Sequence, residues 1–392
     1  KTYRPSDIPV VICVSAVSLR TSIRDHKAIL HKVTCWDVVL YKSETSEVDR
    51  MPQNGRIEVN RLNDTAAEQG SSLDNSHQVN NSSSSNKFCS AANQSSYPTK
   101  TTFLSQNSEC AAVLYKPKLE TAAPIIISAH GLGAVKEMGL DRFAARFRDA
   151  GYAVFCFDYR FFGESGGSPR QVIDIGCQLQ DWRNAITHVK KMQDPAIDSK
   201  TVILFGTSFS GSHVIQLSSE TDVSAVIAQC PFTNGISSAK SLGVVSLVKL
   251  APIAIYDSLK LVFAPKSNPT TVKLGGKPGS QSFMPAPDYN GYYDLIPEGF
   301  DFCDRVGARL AMNIFWYQPG SRARNSKCPL YVSVCMRDTV APAKKTLKYL
   351  SGTKNVEYKK YDCGHFDIYV GSDFEEAITD YQNFLYRTVP VK

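Results

Sequence analysis

The fold is decided by the stretch Val202-Ile203-Leu204-Phe205-Gly206-Thr207-Ser208-Phe209-Ser210-Gly211-Ser212-His213. Its four leading apolar residues predict a buried β-strand, and the small residues that follow predict a very tight turn into a helix. A serine at the tip of such a turn has a strained backbone and an exposed hydroxyl, which requires small residues two positions to either side. Gly206 and Ser210 fill these places around Ser208, although glycine is usual where Ser210 stands. Taken alone, a Gly/Ser cluster after a strand is more often an ordinary loop, so the interpretation depends on the rest of the chain.

Length and composition allow one large α/β domain with additions, or two domains. The chain has 392 residues, of which 43% are apolar, enough to bury a core. Its net charge is +7, but the basic residues are scattered rather than gathered in a stripe with aromatic residues, so nucleic-acid binding is not expected. The eleven cysteines form no C-x-x-C pair, which favours a reduced, cytoplasmic protein without a zinc site.

The N-terminal hundred residues differ from the remainder. The numbering starts at Lys1, without Met, as expected for a fragment or a processed form, and residues 1–42 have no clear structural pattern. The apolar run from Ile8 to Leu19 fits either a signal-peptide core, which would indicate secretion, or a short core segment, and it is too short to span a bilayer. Residues 43–100 are rich in Ser, Asn, Gln and Asp, which predicts a disordered linker. The folded domain is therefore expected at residues 101–392, and no transmembrane segment is expected in it.

Strands and helices alternate after this boundary. Short apolar runs predict strands at residues 110–115, 124–128, 153–157, 202–205, 223–229, 330–335 and 356–361, and helical periodicity predicts helices at 141–150, 172–192 and 372–387. This pattern predicts a mostly parallel central sheet with helices on both faces. Ligand chemistry in such a sheet lies at the carboxyl ends of the strands.

Three residues with complementary chemistry follow predicted strands. Ser208, Asp338 and His365 occur in this order along the chain, each just beyond a strand, as in one class of serine enzymes. A carboxylate at Asp338 can fix the tautomer of an imidazole, or it can simply cap a turn or helix. Asp362 and Asp367 are rival carboxylates beside His365, but in this arrangement the acid comes from another strand.

A second glycine-bearing turn, His130-Gly131-Leu132-Gly133, follows the predicted strand at 124–128. Its glycines let the backbone approach a ligand, so the amide of Leu132 can point at a developing oxyanion together with the amide of Phe209. The imidazole of His130 is not required by this arrangement, so a structural role is favoured for it.

Four motifs together resemble the α/β-hydrolase superfamily over residues 101–385. They are Gly-Thr-Ser-Phe-Ser-Gly, Arg-Asp-Thr-Val-Ala-Pro, Gly-His-Phe-Asp-Ile-Tyr-Val-Gly and Asp-Tyr-Arg-Phe-Phe-Gly-Glu-Ser, the last with Phe161 where glycine is common. More narrowly, the chain resembles a bacterial and fungal subgroup that includes fungal polyketide transferases and product-releasing hydrolases of secondary metabolism. The resemblance implies Ser208 as nucleophile, His365 as base and Asp338 as orienting acid, with the amides of Leu132 and Phe209 as the oxyanion hole.

An insertion at about residues 232–327 separates two predicted strands. Residues 243–264 are strongly apolar and predict one or two buried helices, 265–294 read as loop, and 300–317 read as helical. In this fold such an insertion usually forms a lid that lines a hydrophobic acyl site, although these residues can also simply pack on the sheet.

The resulting hypothesis is a serine hydrolase that acts on a small hydrophobic ester or thioester through an acyl-enzyme, with no metal or organic cofactor. The alternative is an acyltransferase that uses the same three residues to move a polyketide-type acyl chain to an alcohol. A binding protein without activity is less favoured because no member of the triad is lost, and a peptidase because no acidic pair for a substrate amine can be identified. The sequence does not predict the oligomeric state.

Overall fold

The structure is a computed structural model that describes residues 98–264 and 266–391. The predicted N-terminal segment, the apolar run at residues 8–19 and almost all of the predicted linker lie outside the described residues. The first described strand begins at Thr99, so the expected boundary at residue 100 falls inside this strand.

Eleven strands occur within the described residues. They are β1 (Thr99–Ser105), β2 (Ser108–Tyr115), β3 (Ala123–Ala129), β4 (Ala153–Phe157), β5 (Ile197–Thr207), β6 (Ala225–Gln229), β7 (Thr271–Gly276), β8 (Ser282–Pro285), β9 (Arg305–Gly307), β10 (Leu330–Cys335) and β11 (Val356–Tyr361). Eight of them form one sheet in the order β1-β2-β4-β3-β5-β6-β10-β11, and three form a small sheet in the order β8-β7-β9. In the large sheet only the pairs β1–β2 and β2–β4 are antiparallel. The predicted mostly parallel sheet is confirmed.

Nine α-helices accompany the strands in the described part of the chain. They are α1 (Leu140–Asp149), α2 (Ile175–Lys190), α3 (Phe209–Ser218), α4 (Gly235–Leu242), α5 (Val244–Phe263), α6 (Asn290–Tyr293), α7 (Leu310–Ile314), α8 (Ala343–Leu350) and α9 (Gly371–Thr388). Two short 3₁₀ segments cover Pro319–Asn325 and Asp367–Tyr369. Helix α2 begins where the side chain of Asp174 accepts a hydrogen bond from the amide of Cys177 at 2.8 Å, which satisfies one of the unpaired amides of the first turn.

Helices cover both faces of the large sheet. Alternate residues of β3 belong to two different cores: Ile125 and Ile127 face the core that holds Trp182 of α2, whereas Ile126 faces the core that holds Phe143 of α1. All seven residues of β3 are buried, and full burial of one such side chain stabilises the fold by about 1.5–3 kcal/mol. Helix α9 closes the second core with residues at helical spacing, namely Phe374, Ile378, Tyr381 and Leu385.

The insertion between β6 and β10 differs from the prediction in two places. The predicted loop at 265–294 contains β7, β8 and α6. The predicted helix at 300–317 is wrong, because β9 lies within it and only the five residues of α7 are α-helical. Strand β9 pairs antiparallel with β7, so that Thr271 lies opposite Gly307. This long-range pairing overrides the local helical pattern.

The apolar segment at 243–264 is helical, as predicted, but it is not buried along its length. Leu250 is buried, whereas Val248, Ile255 and Leu259 are 48–65% exposed. Gly243 ends α4 and precedes α5, and the two helices meet at an angle of 114°. Helix α5 therefore packs on the protein along one side only.

No single helix among the described residues is long and apolar enough to cross a membrane. The bent pair α4–α5 alone satisfies that test there, by length and composition.

A buried ion pair fixes α5 to the small sheet and α7. The carboxylate of Asp257 is fully buried and accepts hydrogen bonds from Nε and the backbone amide of Arg309, both at 2.9 Å. It also accepts a hydrogen bond from the backbone amide of Thr270 at 2.6 Å. A charge in this environment is tolerated only because it is paired and fully hydrogen-bonded.

We predict that Asp257→Ala lowers the free energy of unfolding by about 3–5 kcal/mol, because it leaves the Arg309 guanidinium buried without its partner. Urea unfolding measures the loss, and amide hydrogen exchange localises it to α5. The exposed Asp301 provides the control, since Asp301→Ala is expected to change stability by no more than about 0.5 kcal/mol. Equal stability of the two variants would contradict the assigned role of Asp257.

Candidate active site

Ser208 occupies the turn between β5 and α3. Its φ of 55° and ψ of −116° lie outside the conformations that L-residues adopt freely, at a cost of about 1–3 kcal/mol. A Cβ atom at Gly206 would lie 2.5 Å from the carbonyl oxygen of Ser210, so only glycine fits there. Serine is accepted in place of the usual glycine at residue 210 because its buried hydroxyl forms a 2.9 Å hydrogen bond with the hydroxyl of Tyr159.

The structure brings Ser208, His365 and Asp338 into one hydrogen-bonded chain. Nε2 of His365 lies 2.9 Å from Oγ of Ser208, and Nδ1 lies 2.6 Å from Oδ2 of Asp338. With the ring proton on Nδ1, the imidazole donates to the carboxylate and accepts from the serine hydroxyl. The side chains of His365 and Asp338 are only 1% and 2% exposed, so water does not compete for these bonds.

Asp338 also caps its own turn, in addition to its contact with His365. Its Oδ1 accepts hydrogen bonds from the amides of Val340 at 2.8 Å and Ala341 at 2.6 Å. The rival carboxylates lie elsewhere: Asp362 is 89% exposed beside Arg337, and Asp367 accepts a hydrogen bond from the amide of Gly364.

The charge state of His365 is set by its surroundings. Burial alone would lower the pKa of its imidazole, but the Asp338 carboxylate stabilises the imidazolium and the pKa is raised to about 10. Asp288, which lies between β8 and α6, adds to this effect, and its carboxylate accepts a hydrogen bond from the Thr339 hydroxyl. Sequence reasoning missed Asp288 because nothing in the motifs links this residue of the insertion to His365.

The glycine-bearing turn after β3 passes directly beside Ser208. A Cβ atom at Gly131 would lie 3.0 Å from Cβ and 3.4 Å from Oγ of Ser208, which shows how closely the backbone approaches the hydroxyl. Within the described residues, neither the amide of Leu132 nor that of Phe209 donates to a protein acceptor. Both N–H groups are therefore available to an oxyanion. The hydroxyl of Tyr292 donates to the carbonyl of Leu132 at 3.0 Å and fixes the turn.

A buried ion pair holds the end of this turn. The ammonium and the backbone amide of Lys136 both donate to the carboxylate of Asp158 at 2.8 Å, so the Asp158 motif supports the turn rather than contacting Ser208. His130 is fully buried next to this pair, with its Nδ1 3.0 Å from the carbonyl oxygen of Gly131. Burial lowers the pKa of His130 to about 4, so its imidazole is neutral and structural.

Aromatic and polar side chains support the residue that follows the serine. The ring of Phe209 packs edge to face on His213, with 4.9 Å between ring centroids. His213 in turn forms hydrogen bonds with the hydroxyl of Tyr317 at 2.9 Å and with Oε1 of Gln178 at 3.0 Å. Burial lowers the pKa of His213 to about 3, so this second histidine is also neutral. This network restrains the position of the Phe209 ring.

Comparison with known proteins agrees with this geometry. The family model described as "Serine aminopeptidase, S33" matches residues 120–263. The chain is also 42% identical over 297 residues to the quorum-quenching protein AidA of Acinetobacter baumannii (strain MDR-ZJ06), which covers 75% of this chain and 96% of AidA. The chain belongs to the α/β-hydrolase family of serine hydrolases. The resemblance inferred from its motifs is confirmed.

More distant relatives agree on the family and the fold. Thiohydrolase aneE of Aspergillus aculeatus is 27% identical to this hydrolase over 266 residues, with 65% of this chain and 83% of aneE covered. The crystal structure of α/β hydrolase GrgF from Penicillium sp. sh18 superimposes with a TM-score of 0.62 at 19% identity, and covers 75% of this chain and 100% of GrgF. The predicted α/β-hydrolase fold is confirmed.

The hydrolase has an apolar cavity beside Ser208, with a volume of about 90 Å³. The insertion supplies most of its walls, and α4, α5, β8 and α7 all contribute. The apolar lining residues are Leu132, Phe209, Phe232, Ala239, Leu242, Leu247, Leu250, Phe283, Met284, Ala311, Ile314, Phe315, Val340 and Ala341. The insertion therefore covers the serine, while residues such as Leu250 also pack in the core.

We predict that Gly206→Ala lowers kcat/KM by ~10²-fold or more, because the added methyl group displaces Ser210 and with it Ser208. The overpacking also costs about 1–3 kcal/mol of stability. Gly176→Ala is the control, since a Cβ atom there meets only Oδ1 of Asp174 at 3.2 Å. Steady-state kinetics and thermal unfolding separate the effects, and full activity in Gly206→Ala would contradict the steric assignment.

The pH profile tests the role of Asp288. Because a base acts in its neutral form, the raised pKa of His365 places the acid limb of kcat/KM on the alkaline side of neutrality. Asp288→Asn removes a negative charge that stabilises the imidazolium, so the limb is expected to move to lower pH. Asp362→Asn, which changes an exposed carboxylate near His365 in sequence, is expected to leave it in place. An unchanged profile in Asp288→Asn, or an equal shift in both variants, would argue against the assignment.

Proposed function

We propose that this serine hydrolase cleaves an ester or thioester of a small hydrophobic acyl group through an acyl-enzyme on Ser208. The observation that carries the proposal is the chain of hydrogen bonds from Oγ of Ser208 through His365 to Asp338, which ends at an apolar cavity. A serine hydroxyl is a weak nucleophile until a base removes its proton. Here the base is already within hydrogen-bonding distance.

Each group in the site has one task in the proposed reaction. Oγ of Ser208 attacks the carbonyl carbon while Nε2 of His365 takes its proton, and Asp338 stabilises the imidazolium that results. The amides of Leu132 and Phe209 hold the oxyanion of the tetrahedral intermediate. His365 then gives its proton to the departing alcohol or thiol, which leaves the acyl group on Ser208. In the second half a water molecule, deprotonated by His365, releases the acid and restores the hydroxyl.

The lining of the cavity supports a hydrophobic acyl group. Apolar side chains form nearly all of the wall next to Ser208, and the binding of such a group is favoured by removal of its surface from water. Hydrolysis of a diffusible acyl compound is compatible with the name of AidA as a quorum-quenching protein. The name of aneE as a thiohydrolase supports a thioester.

Transfer of a polyketide-type acyl chain to an alcohol, as a step of secondary metabolism, is the second candidate. It is favoured by the shielding of Ser208, which is only 9% exposed beneath the insertion. An apolar alcohol that fills the cavity would displace water from the acyl-enzyme and take its place as acceptor. The reaction up to the acyl-enzyme is the same for both candidates.

We also propose that the protein works in a reducing compartment such as the cytoplasm. The eight cysteines among the described residues are all free, which is usual where glutathione keeps thiols reduced.

A fluorophosphonate probe tests the nucleophile without knowledge of the substrate. We predict covalent labelling of the wild type and none of Ser208→Ala, together with at least a ~10³-fold loss of kcat on nitrophenyl esters. Ser219→Ala is the matched control, because this serine lies at the far end of α3 and bonds only the carbonyl of Gln216. Labelling that persists in Ser208→Ala, or a folded wild type that is never labelled, would refute the proposal. Product analysis with an added alcohol separates transfer from hydrolysis.

A further inference from the structure

The outer side of the insertion exposes a large apolar surface, which we call the lid face. Its members on α5 and beside α7 include Phe263, Val244 and Trp316, which are 83%, 75% and 72% exposed. The other members are Val245, Val248, Ile255, Tyr256, Leu259, Val262, Met312 and Phe315. Contiguous exposed apolar surface on this scale marks an interaction site.

The lid face and the cavity lie on opposite sides of α5. Leu247 and Leu250 of α5 line the cavity, whereas Val248 and Leu259 of the same helix are exposed on the lid face. Only the thickness of one helix, about 10 Å, separates the two. A partner on the lid face therefore rests directly above the proposed acyl site.

Along α4 and α5, the charges that are not buried are of one sign. From Gly235 to Lys266 the chain carries four lysines and a single acid, Asp257, and this acid is buried in its ion pair with Arg309. Two of the lysines, Lys249 and Lys260, donate to backbone carbonyls, which do not cancel their charge. The border of the lid face along α4 and α5 is therefore cationic.

A basic groove of about 620 Å³ lies between the 3₁₀ segment Pro319–Asn325 and α8. Its four charged side chains are all cationic: Arg324, Lys345, Lys348 and Lys354. The groove adjoins the insertion at the start of α4, where Nδ2 of Asn234 donates to the hydroxyl of Tyr349 at 2.8 Å. The first residue of α4, Gly235, lies against Phe315 of the lid face, since a Cβ atom there would be 2.6 Å from the carbonyl oxygen of Phe315.

We propose that the lid face and the basic groove together bind the surface of an anionic lipid bilayer. The apolar side chains enter the boundary between headgroups and acyl chains, and the cations meet the lipid phosphates, which is how amphipathic helices rest in a membrane interface. A second copy of the chain fits less well, because a symmetric contact through the lid face would set one cationic border against another. Binding in this mode places the bilayer one helix thickness from the cavity, and its use for a lipophilic acyl substrate rests on the proposed function.

Sedimentation of the full chain with lipid vesicles tests this proposal independently of catalysis. The wild type is expected to bind vesicles that contain phosphatidylglycerol more tightly than vesicles of phosphatidylcholine alone, and to bind less tightly as salt rises. The apolar variant V248S/L259S/F263S is expected to lose about tenfold or more in partitioning to both kinds of vesicle, since each buried methylene group contributes.

The charge variant K345E/K348E is expected to bind anionic vesicles about tenfold or more weakly and to bind phosphatidylcholine vesicles like the wild type. Each lysine near the membrane surface contributes roughly fivefold to binding. The control K118E/K200E makes the same change of net charge at exposed positions by the opposite ends of the strands, and is expected to bind like the wild type. None of the substituted residues lines the cavity, so all variants should retain cleavage of a short soluble ester and cooperative thermal unfolding.

Three results would overturn the proposal. They are a folded wild type that does not bind anionic vesicles, equal loss in the control and the charge variant, and a dimer that V248S/L259S/F263S converts to monomer in the absence of any vesicle binding. The last result would assign the lid face to a second copy of the chain.

Discussion

The close contact between Gly206 and Ser210 is the constraint on which the site depends. It allows the chain to leave β5 and enter α3 with a single residue, Ser208, between them. The strained backbone of this residue costs about 1–3 kcal/mol, which the core around it offsets: Val202, Ile203, Leu204 and Phe205 are all fully buried. A second restraint is the hydrogen bond from the amide of Ser208 to the carbonyl of Gln229 on the neighbouring strand, at 2.8 Å. The position of the hydroxyl is therefore set by the centre of the sheet and not by a loop.

Parallel strands explain how distant residues reach this hydroxyl. β5, β6, β10 and β11 lie side by side and run in the same direction, so the loops after them emerge at one edge. Asp338 follows β10 and His365 follows β11, and the imidazole spans the remaining gap to Ser208. The insertion completes the site from above, with Tyr292 bound to the carbonyl of Leu132 and Asp288 beside Thr339. The sheet thus supplies the three hydrogen-bonded groups of the candidate site, and the insertion supplies the enclosure that shields them.

The central strands and the three residues of the hydrogen-bonded chain were predictable because their signals are local. The strands at Ala153–Phe157, Leu330–Cys335 and Val356–Tyr361 have the predicted bounds, since short apolar runs bounded by turns allow few alternatives. The insertion was not predictable to the same degree, because β7 and β9 are short strands stabilised by pairing with each other. The exposure of one side of α5 was also missed, because an apolar run predicts burial. In the structure the chain bends at Gly243, and one side of α5 has no partner among the described residues.

The size of the cavity limits what the described arrangement admits. Sites for small molecules commonly measure about 300–1,000 Å³, whereas the cavity beside Ser208 measures about 90 Å³, so a long acyl chain requires α4 and α5 to move. The restraints on such movement are unequal. The far half of α5 is held by the buried ion pair of Asp257 with Arg309, but a Cβ atom at Gly243 would meet no atom within 4 Å, and the residues that follow it are exposed. Displacement is therefore least costly at the α4–α5 corner, where Leu242 and Leu247 form the wall of the cavity. The same corner adjoins the exposed apolar residues Val244 and Val245, so whatever covers them also contacts the segment that forms this wall of the cavity.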